Sequence, residues 1–273
     1  MINKVISVCT VRDIETFKLT AKWVSKFIPA AKYVVVVPHA EIDIFKSKEL
    51  GKYSVISEDK HSKIADCLNE KLGKNHKRFG WYFQQFIKLS ELDDGSNNAL
   101  NLIWDADTIP LKKINFEQNG KIYFFQGSEH NKEYFTLTRE LLNLSKISKR
   151  SFIAQNMPCK VSWIKEFKKE IQTKYKNKDW YEEIIKRINV NHGAGFSEYE
   201  TLGTFLLKNH PEDIILGKAK WYRGGNKLIG GIKNFHDNQK WLSKRYHYVA
   251  FEHWDCKNTT WKYTLKKFLF KYL

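Results

Sequence analysis

The feature that most constrains the fold is an uninterrupted apolar run, Tyr33–Val37, which contains four consecutive valines. β-Branched residues favour strands, and a strand without polar alternation is covered on both faces, as in a parallel sheet. Shorter runs at Val5–Val8, Tyr53–Ser57 and Leu100–Trp104 are also typical of strands. Between the first strand and the valine run, Thr16–Phe27 carries apolar residues at helical spacing. This alternation predicts an α/β sheet wound with helices on its faces.

Four later segments continue the alternating pattern. Apolar periodicity predicts helices over Gly80–Leu92 and Glu198–Leu207, a charged helical region over Lys160–Arg187, and a strand over Ile122–Gln126. The 273 residues contain five prolines and fourteen glycines, which leaves little room for a long flexible linker. We therefore expect a single domain over residues 1–255, followed by a separate segment over residues 256–273.

The bulk composition limits the function classes without choosing one. A net charge of +17 predicts attraction to nucleic acid, anionic lipid or phosphorylated substrates. The four cysteines share no short spacing, which argues against a zinc cluster or a disulfide framework and favours reduced thiols in the cytoplasm. The N-terminus does not have the pattern of a signal peptide, and no run approaches the roughly twenty apolar residues of a membrane-spanning helix. We expect a soluble or peripherally bound protein.

Two aspartates follow the strand Leu100–Trp104, in the segment Trp-Asp-Ala-Asp-Thr-Ile-Pro. If the strand continued through them, Asp105 and Asp107 would share a face, because side chains alternate with period two. Open α/β sheets bind ligands at the carboxyl ends of their strands. Two converging carboxylates there favour Mg²⁺ or Mn²⁺ that bridges to a diphosphate. The alternative is a simple turn in which an aspartate caps the backbone.

This segment resembles the D-x-D motif of GT-A-fold glycosyltransferases. The helix that begins Gly-Trp-Tyr-Phe-Gln-Gln-Phe-Ile-Lys-Leu at Gly80, and the later segment Phe196–Thr201, strengthen the resemblance. Together they look like small bacterial transferases of lipopolysaccharide or capsule synthesis, over roughly residues 1–255. The resemblance implies a GT-A-like wound mixed sheet flanked by helices. It also implies a nucleotide-sugar donor, with a UDP-sugar favoured, and a saccharide or lipid-linked saccharide acceptor.

The resemblance also implies a metal site. Asp105 and Asp107 would hold Mn²⁺ or Mg²⁺ against the donor diphosphate, with Asp107 the more direct ligand. Such folds often add a histidine near the end of the domain as a further ligand. His253 and His236 are both candidates, and His253 is slightly favoured.

The donor itself would contact residues from three parts of the chain. Arg12, after the first strand, would lie near the base or the phosphates, and Lys88 would reach the phosphates or the sugar. The segment around the two aspartates would contribute its neighbours as well. The donor-binding residues that the resemblance implies are Thr10, Val11, Arg12, Lys88, Trp104, Asp105, Ala106 and Asp107.

An inverting transfer needs a carboxylate that takes the proton from the acceptor hydroxyl. Glu198 and Glu200 lie at a predicted helix start, after the glycine-containing stretch Asn191–Gly195. On a helix they point about 200° apart, so at most one faces the site. We favour Glu198 as the base, with Glu200 as the alternate. The other role for both acids is to complement the positive end of the helix dipole.

Two further segments carry groups suited to sugars and phosphates. Gln155 and Asn156 could hydrogen-bond acceptor hydroxyls, or could be ordinary loop amides. The segment Trp221–Asn226 offers an aromatic ring for stacking on a sugar and, in Arg223, a guanidinium for a donor phosphate. Its glycines match neither a P-loop nor a dinucleotide-binding fingerprint.

The C-terminal segment is basic and aromatic. If it forms a helix, Trp261, Leu265, Phe268 and Leu269 fall on one side and the lysines fall largely elsewhere. A basic amphipathic helix of this kind binds anionic membrane surfaces, which suits an enzyme with a membrane-anchored acceptor. The alternatives are a terminal helix packed on its own domain and a dimer contact.

Two other function classes compete with a glycosyltransferase. The charge and the aromatic residues are compatible with nucleic-acid binding or with a two-metal phosphoryl-transfer enzyme. Against this class, the lysines are spread along the chain and no recognition motif occurs, so a nucleic-acid partner is not favoured. The third class is a non-catalytic scaffold at a membrane surface.

Overall fold

The computed structural model describes residues 1–73 and 75–256. The basic segment after Cys256 lies outside the described residues, so its predicted amphipathic helix and membrane contact stay predictions. Within the described ranges, no helix combines the length and the apolar character needed to span a bilayer.

Strands and helices alternate through the first half of the described chain, and helices predominate in the second. The strands are β1 (Ile2–Val8), β2 (Ala30–Val37), β3 (Tyr53–Ser57), β4 (Leu100–Trp104), β5 (Thr108–Pro110), β6 (Glu117–Gln118), β7 (Lys121–Phe125), β8 (Asn156–Lys160), β9 (Ile214–Gly217), β10 (Trp221–Tyr222) and β11 (Tyr248–Ala250). The helices are α1 (Ile14–Phe27), α2 (Ile42–Lys46), α3 (Ser62–Leu72), α4 (Phe79–Glu91), α5 (Lys132–Leu142), α6 (Val161–Tyr175), α7 (Trp180–Arg187), α8 (Glu198–Asn209), α9 (Gly225–Ile229) and α10 (Phe235–Arg245).

The main sheet has five strands in the order β3-β2-β1-β4-β8. The first four are parallel, and β8 runs antiparallel to β4 at the edge. Val35, Val36 and Val37 of β2 are fully buried, as are Leu102 and Ile103 of β4, because helices cover both faces of the sheet. The predicted wound, mixed sheet flanked by helices is therefore confirmed.

Two small sheets extend the domain. Strand β5 pairs antiparallel with β11, which pairs parallel with β10. Strand β7 pairs antiparallel with β6 and parallel with β9. Strand β5 directly follows the predicted aspartate pair, and strand β10 lies in the predicted segment Trp221–Asn226. The small sheets therefore bring late parts of the chain to the end of β4.

The long helices and strands that the sequence predicted are present, but one predicted helical region consists of two helices. The charged region Lys160–Arg187 forms two helices, α6 and α7, rather than one. Lys176 adopts a left-handed conformation with φ 52°, which ends α6. Asn177 then donates hydrogen bonds to Glu182 and Glu183 in the first turn of α7. A left-handed residue followed by such a contact is a normal way for one helix to stop and another to start.

Candidate active site

A cavity of about 1280 Å³ opens at the carboxyl ends of β1 and β4. Val8, Cys9 and Thr10 line it from β1, and Asp105, Ala106 and Asp107 line it from the segment after β4. Helix α4 and the N-terminal end of α8 form further parts of the wall. This is the edge at which open α/β sheets bind ligands.

The two aspartates reach this cavity from a turn rather than from a strand. Strand β4 ends at Trp104, and the backbone amide of Thr108 donates to the carbonyl of Asp105 at 3.1 Å. The Thr108 hydroxyl also donates to Asp107 Oδ1 at 3.2 Å. The predicted alternation of side chains along a strand therefore does not apply to Asp105–Asp107. Both side chains nevertheless line the cavity.

Lys88 connects the aspartate turn to the start of α8. Its Nζ lies 2.6 Å from Asp105 Oδ1 and 2.9 Å from Glu198 Oε1, and the residue is only 4% exposed. Burial by itself lowers the pKa of Lys88, but the two carboxylates outweigh burial and raise it. The lysine is therefore charged, and its charge is neutralised by acids from two separate elements.

Further hydrogen bonds hold the first turn of α8 against the aspartate turn and against α4. The Tyr199 hydroxyl donates to Asp105 Oδ1 at 2.6 Å, so this oxygen has both Tyr199 and Lys88 as partners. Gln85 lies one turn before Lys88, and its side-chain oxygen accepts a hydrogen bond from the backbone amide of Glu198 at 3.0 Å. Ser197 caps the helix by accepting the Glu200 amide. These contacts fix the position of Glu198 relative to the aspartates.

Asp107 lies in a surplus of negative charge. Burial, followed by the carboxylates of Glu252, Asp105 and Asp13, raises the pKa of Asp107 to about 8, and Lys88 opposes this only in part. Glu252 accepts hydrogen bonds from Gln155 at 3.2 Å and from the Trp254 indole, and it pairs with Arg223. A group of acids with so few cations beside Asp107 can be stabilised by a bound cation.

The residues fit a hard divalent cation. Carboxylate oxygens are the ligands that Mg²⁺ and Mn²⁺ prefer, and Mg²⁺ is commonly held by one or two carboxylates with substrate phosphates completing its shell. Within residues 1–73 and 75–256, no group of three or more His, Cys, Asp or Glu side chains is already arranged to hold a metal. His253 is exposed on the cavity wall, whereas His236 lies in the first turn of α10 and is not among the wall residues. Asp107 with Asp105 is thus the available donor pair.

The structure brings most of the predicted site residues to one place. Thr10 and Arg12 line the cavity from the loop after β1, Lys88 lines it from α4, and Gln155 and Arg223 line it from the side of β8 and β10. The full set of predicted residues on the wall is Thr10, Arg12, Lys88, Asp105, Ala106, Asp107, Gln155, Glu198, Arg223 and His253.

Besides His236, four further predicted residues lie outside the cavity wall. Glu200 is buried and accepts from the Ser151 hydroxyl at 2.5 Å and from the Phe152 amide at 3.2 Å, so it anchors a loop. Asn156 is buried in β8, where its amide donates to the Ala154 carbonyl. Trp104 is fully buried and donates to the Thr108 carbonyl at 2.6 Å. The exposed Val11 donates its backbone amide to Glu41. The geometry does not favour direct ligand contacts for these four side chains.

Three site residues were not predicted from the sequence. Gln85 lies three residues before Lys88 and so shares its helix face, which is a signal that helical spacing offers. Tyr199 directly follows Glu198, and its contact with Asp105 depends on the packing of α8. Glu252 is adjacent to the predicted His253, but only the pairing of β11 with β5 brings it to the aspartates.

Comparison with solved structures identifies the fold. The structure of the galactosyltransferase LgtC in complex with donor and acceptor sugar analogs aligns with a TM-score of 0.50 at 10% identity, over 99% of this chain and 96% of that chain. The apo form of mouse xyloside xylosyltransferase 1 aligns with a TM-score of 0.47 at 11% identity, over 95% of this chain and 99% of that chain. The alignment with LgtC shows that the fold is of the GT-A type.

The family is established by sequence. The model of DUF6492, described as a family of unknown function, matches residues 2–260. The chain belongs to this family. No curated protein matches the chain significantly.

Proposed function

We propose that this protein is a metal-dependent glycosyltransferase that moves a sugar from a nucleotide-sugar donor to a saccharide acceptor. One observation carries the proposal. Asp105, Asp107 and Lys88 meet in one large cavity at the carboxyl ends of β1 and β4. A GT-A-type fold with charged groups at this edge suits a ligand that combines a diphosphate with a sugar.

The chain's own groups have distinct tasks in this reaction. Asp107, with the second oxygen of Asp105, would hold Mn²⁺ or Mg²⁺, and the ion when bound would offset charge that grows on the departing diphosphate. Lys88 holds Asp105 in place and keeps a positive charge close to it. Arg12 and Arg223 supply guanidinium groups on the cavity wall for donor phosphates.

Glu198 is the proposed general base of an inverting transfer. It lines the cavity while only 4% exposed, and burial raises the pKa of its carboxyl group although Lys88 opposes the shift. A carboxylate with a raised pKa takes a proton more readily than a solvated one. The hydrogen bond from Lys88 and the fixed helix start orient it.

The setting that we propose follows the resemblance in the sequence. The donor would be a UDP-sugar, and the acceptor a saccharide or lipid-linked saccharide of cell-surface polysaccharide synthesis, in the cytoplasm. The hexose type of the transferred sugar belongs to the same proposal.

The test is calorimetric titration with UDP, GDP and CMP, with and without Mn²⁺, on the wild type and on Asp107→Asn. We expect one nucleotide to bind in a manganese-dependent way, and the substitution to weaken binding by at least about tenfold because a charged metal ligand is lost. Asp66→Asn is the matched control, since Asp66 is exposed on α3 and away from the cavity. Equal binding by wild type and Asp107→Asn would overturn the metal assignment, and absence of nucleotide binding would overturn the function.

The base needs a separate test on the nucleotide that binds. Glu198→Gln keeps an oxygen that can accept from Lys88 but cannot take a proton. We expect it to retain nucleotide affinity and to lose release of nucleotide from the matching sugar donor by about 10²-fold or more. Undiminished turnover would show that Glu198 only positions Lys88.

A further inference from the structure

A second cleft, of about 920 Å³, adjoins the main cavity. Glu129, His130, Ile153 and Arg223 line both spaces. Arg223 pairs with Glu129 and with Glu252, and Glu252 contributes to the surplus of negative charge around Asp107. A molecule bound in the second cleft would therefore contact wall residues that also belong to the main cavity.

The second cleft is strongly cationic. Six lysine and arginine side chains line it, against the single carboxylate of Glu129, which Arg223 already neutralises. Lys149, Arg150 and Lys220 are exposed, and within the part of the chain that the structure describes none of them forms an ion pair. Like charges gathered without partners repel each other, and an anionic ligand would relieve that repulsion.

Hydrogen bonds cross-link the loop that carries two of these cations. The Lys146 ammonium donates to the carbonyls of Ser148 and Arg150, at 2.7 and 2.9 Å. The Ser148 hydroxyl accepts from the side chain of Gln126 at 2.6 Å and from the amide of Arg150 at 3.2 Å. Lys146 thus stabilises the loop conformation. Lys149 and Arg150 remain available to contact a ligand from this preformed backbone.

Aromatic rings form another part of the cleft. Tyr222 is 39% exposed and stacks on Tyr246 with ring centroids 5.8 Å apart. Trp221 stacks on Tyr248 at 5.5 Å and donates its indole N–H to the Gln126 carbonyl at 3.0 Å. Fixed rings beside charged groups suit a ligand with both apolar faces and anionic substituents.

We propose that the second cleft binds the acceptor and selects a saccharide that carries negative charge, as carboxylate or phosphate groups. This inference rests on the proposed function, because the cleft is an acceptor site only if the main cavity holds a sugar donor. The cations contact the anionic groups, the Tyr222 ring contacts a sugar face, and the end of the acceptor enters the main cavity past Arg223.

The test compares oligogalacturonate, a carboxylated probe, with a neutral maltooligosaccharide of the same length. We expect the wild type to bind oligogalacturonate more tightly, and the triple variant K149Q/R150Q/K220Q to weaken that binding by at least about tenfold. The control K32Q/K46Q/K208Q removes the same charge from exposed lysines outside the cleft. It should change the affinity for oligogalacturonate by less than about twofold. Equal losses in the two triple variants would overturn the proposal, because binding would then follow net charge.

Two further probes distinguish a saccharide from other polyanions. Tyr222→Leu should weaken the binding of oligogalacturonate by about fivefold and change the binding of inorganic polyphosphate by less than about twofold, because only the sugar stacks on the ring. Single-stranded DNA of matched charge should compete poorly. The proposal fails if Tyr222→Leu has no effect on oligogalacturonate, or if DNA or polyphosphate binds the cleft as tightly as the saccharide does.

The failure of this inference can be separated from failure of the proposed function. In one outcome, manganese-dependent nucleotide binding persists in K149Q/R150Q/K220Q while the wild type fails to bind oligogalacturonate. That result would refute the anionic acceptor and leave the proposed function standing. Oligogalacturonate binding in the cleft without any nucleotide binding would remove the glycosyltransferase and with it the acceptor role of the cleft.

Discussion

The main cavity and the second cleft both concentrate charged side chains, but they differ in how those charges are compensated. In the main cavity, Lys88 is buried and its charge is matched by Asp105 and Glu198 at 2.6 and 2.9 Å. In the second cleft, Lys149, Arg150 and Lys220 are exposed and form no ion pair with any described residue. Both regions are rich in ionised side chains, but Lys88 is buried, whereas the three cations of the second cleft are exposed.

The difference follows from the cost of removing a charge from water. A buried ion loses several kcal/mol of hydration and must be neutralised by the fold itself. An exposed cation stays hydrated and screened, so the fold can leave it without a partner at little cost. Folding therefore fixes the charges around Lys88, whereas a ligand would fix those of the second cleft.

The largest expected effect is from Lys88→Met. Removing the ammonium leaves Asp105 and Glu198 buried without their shared cation, so we expect the free energy of unfolding to fall by about 3–5 kcal/mol. Urea denaturation measures the change. Lys18→Met is the control, because Lys18 forms an exposed helical ion pair with Glu15 at 3.2 Å, and the expected change there is below about 0.5 kcal/mol. Similar values for both variants would break the comparison. The double variant Lys88→Met/Glu198→Gln should regain part of the loss.

A second buried charge cluster, whose members line neither cavity, should show the same dependence on neutralisation. Glu91 is 5% exposed and is bound by His61 at 2.9 Å, by Lys4 at 3.3 Å and by Lys60. Burial raises the pKa of Glu91, but the hydrogen bonds of His61 and Lys60 and the charge of Lys4 outweigh it and lower the pKa to about 2. Because the folded-state pKa is depressed, the stabilisation is present at neutral pH and is lost as the pH falls from about 4.5 towards about 2.

Glu91→Gln tests this cluster. The wild type should exceed the variant by about 3 kcal/mol in unfolding free energy at neutral pH. That gap should narrow across the acidic window, as measured by denaturant titrations at a series of pH values. A gap that stays constant with pH would mean that Glu91 stabilises the fold by packing and not by charge.

How far the sequence predicts this molecule depends on whether a feature is local. The valine run and the strand Leu100–Trp104 were predictable because a buried parallel strand leaves a continuous apolar signature. The helix start at Ser197 was predictable because the cap and the following acids are consecutive residues. Asp105 and Lys88 were found by their place in the resemblance. Their contact with Tyr199 was not, because it depends on how α8 packs against α4.

Other parts of the site could not be told apart from the sequence alone, for the same reason. Glu198 and Glu200 are equivalent in sequence terms, and only the fold turns Glu198 to the cavity and Glu200 to Ser151. The second cleft joins residues from the loop after α5 with residues of β10, which lie about seventy positions apart along the chain. A charge pattern of this kind has no local signature, so composition alone could show only that the whole chain is basic.

Packing, as distinct from charge, also positions the main cavity. Gly203 lies in α8, where an added Cβ would come within 2.4 Å of the Phe152 ring. Gly203→Ala should therefore destabilise the fold by about 1–3 kcal/mol, because overpacking displaces either the ring or the helix that carries Glu198 and Tyr199. Thermal unfolding measures the loss, and Gly80→Ala is the control, since nothing lies within 4 Å of its added Cβ. Restoration by Phe152→Leu in the Gly203→Ala background would assign the effect to this contact.

The smallest expected effect on stability is in the second cleft. K149Q/R150Q/K220Q should change the unfolding free energy by less than about 0.5 kcal/mol, and in the stabilising direction, because the substitutions remove repulsion between exposed like charges. Added salt should stabilise the wild type slightly more than the triple variant, since salt screens the same repulsion. Denaturant titrations at low and high salt measure both changes. A loss of more than about 1 kcal/mol would mean that these cations hold the fold together, and the cleft would then resemble the surroundings of Lys88 rather than differ from them.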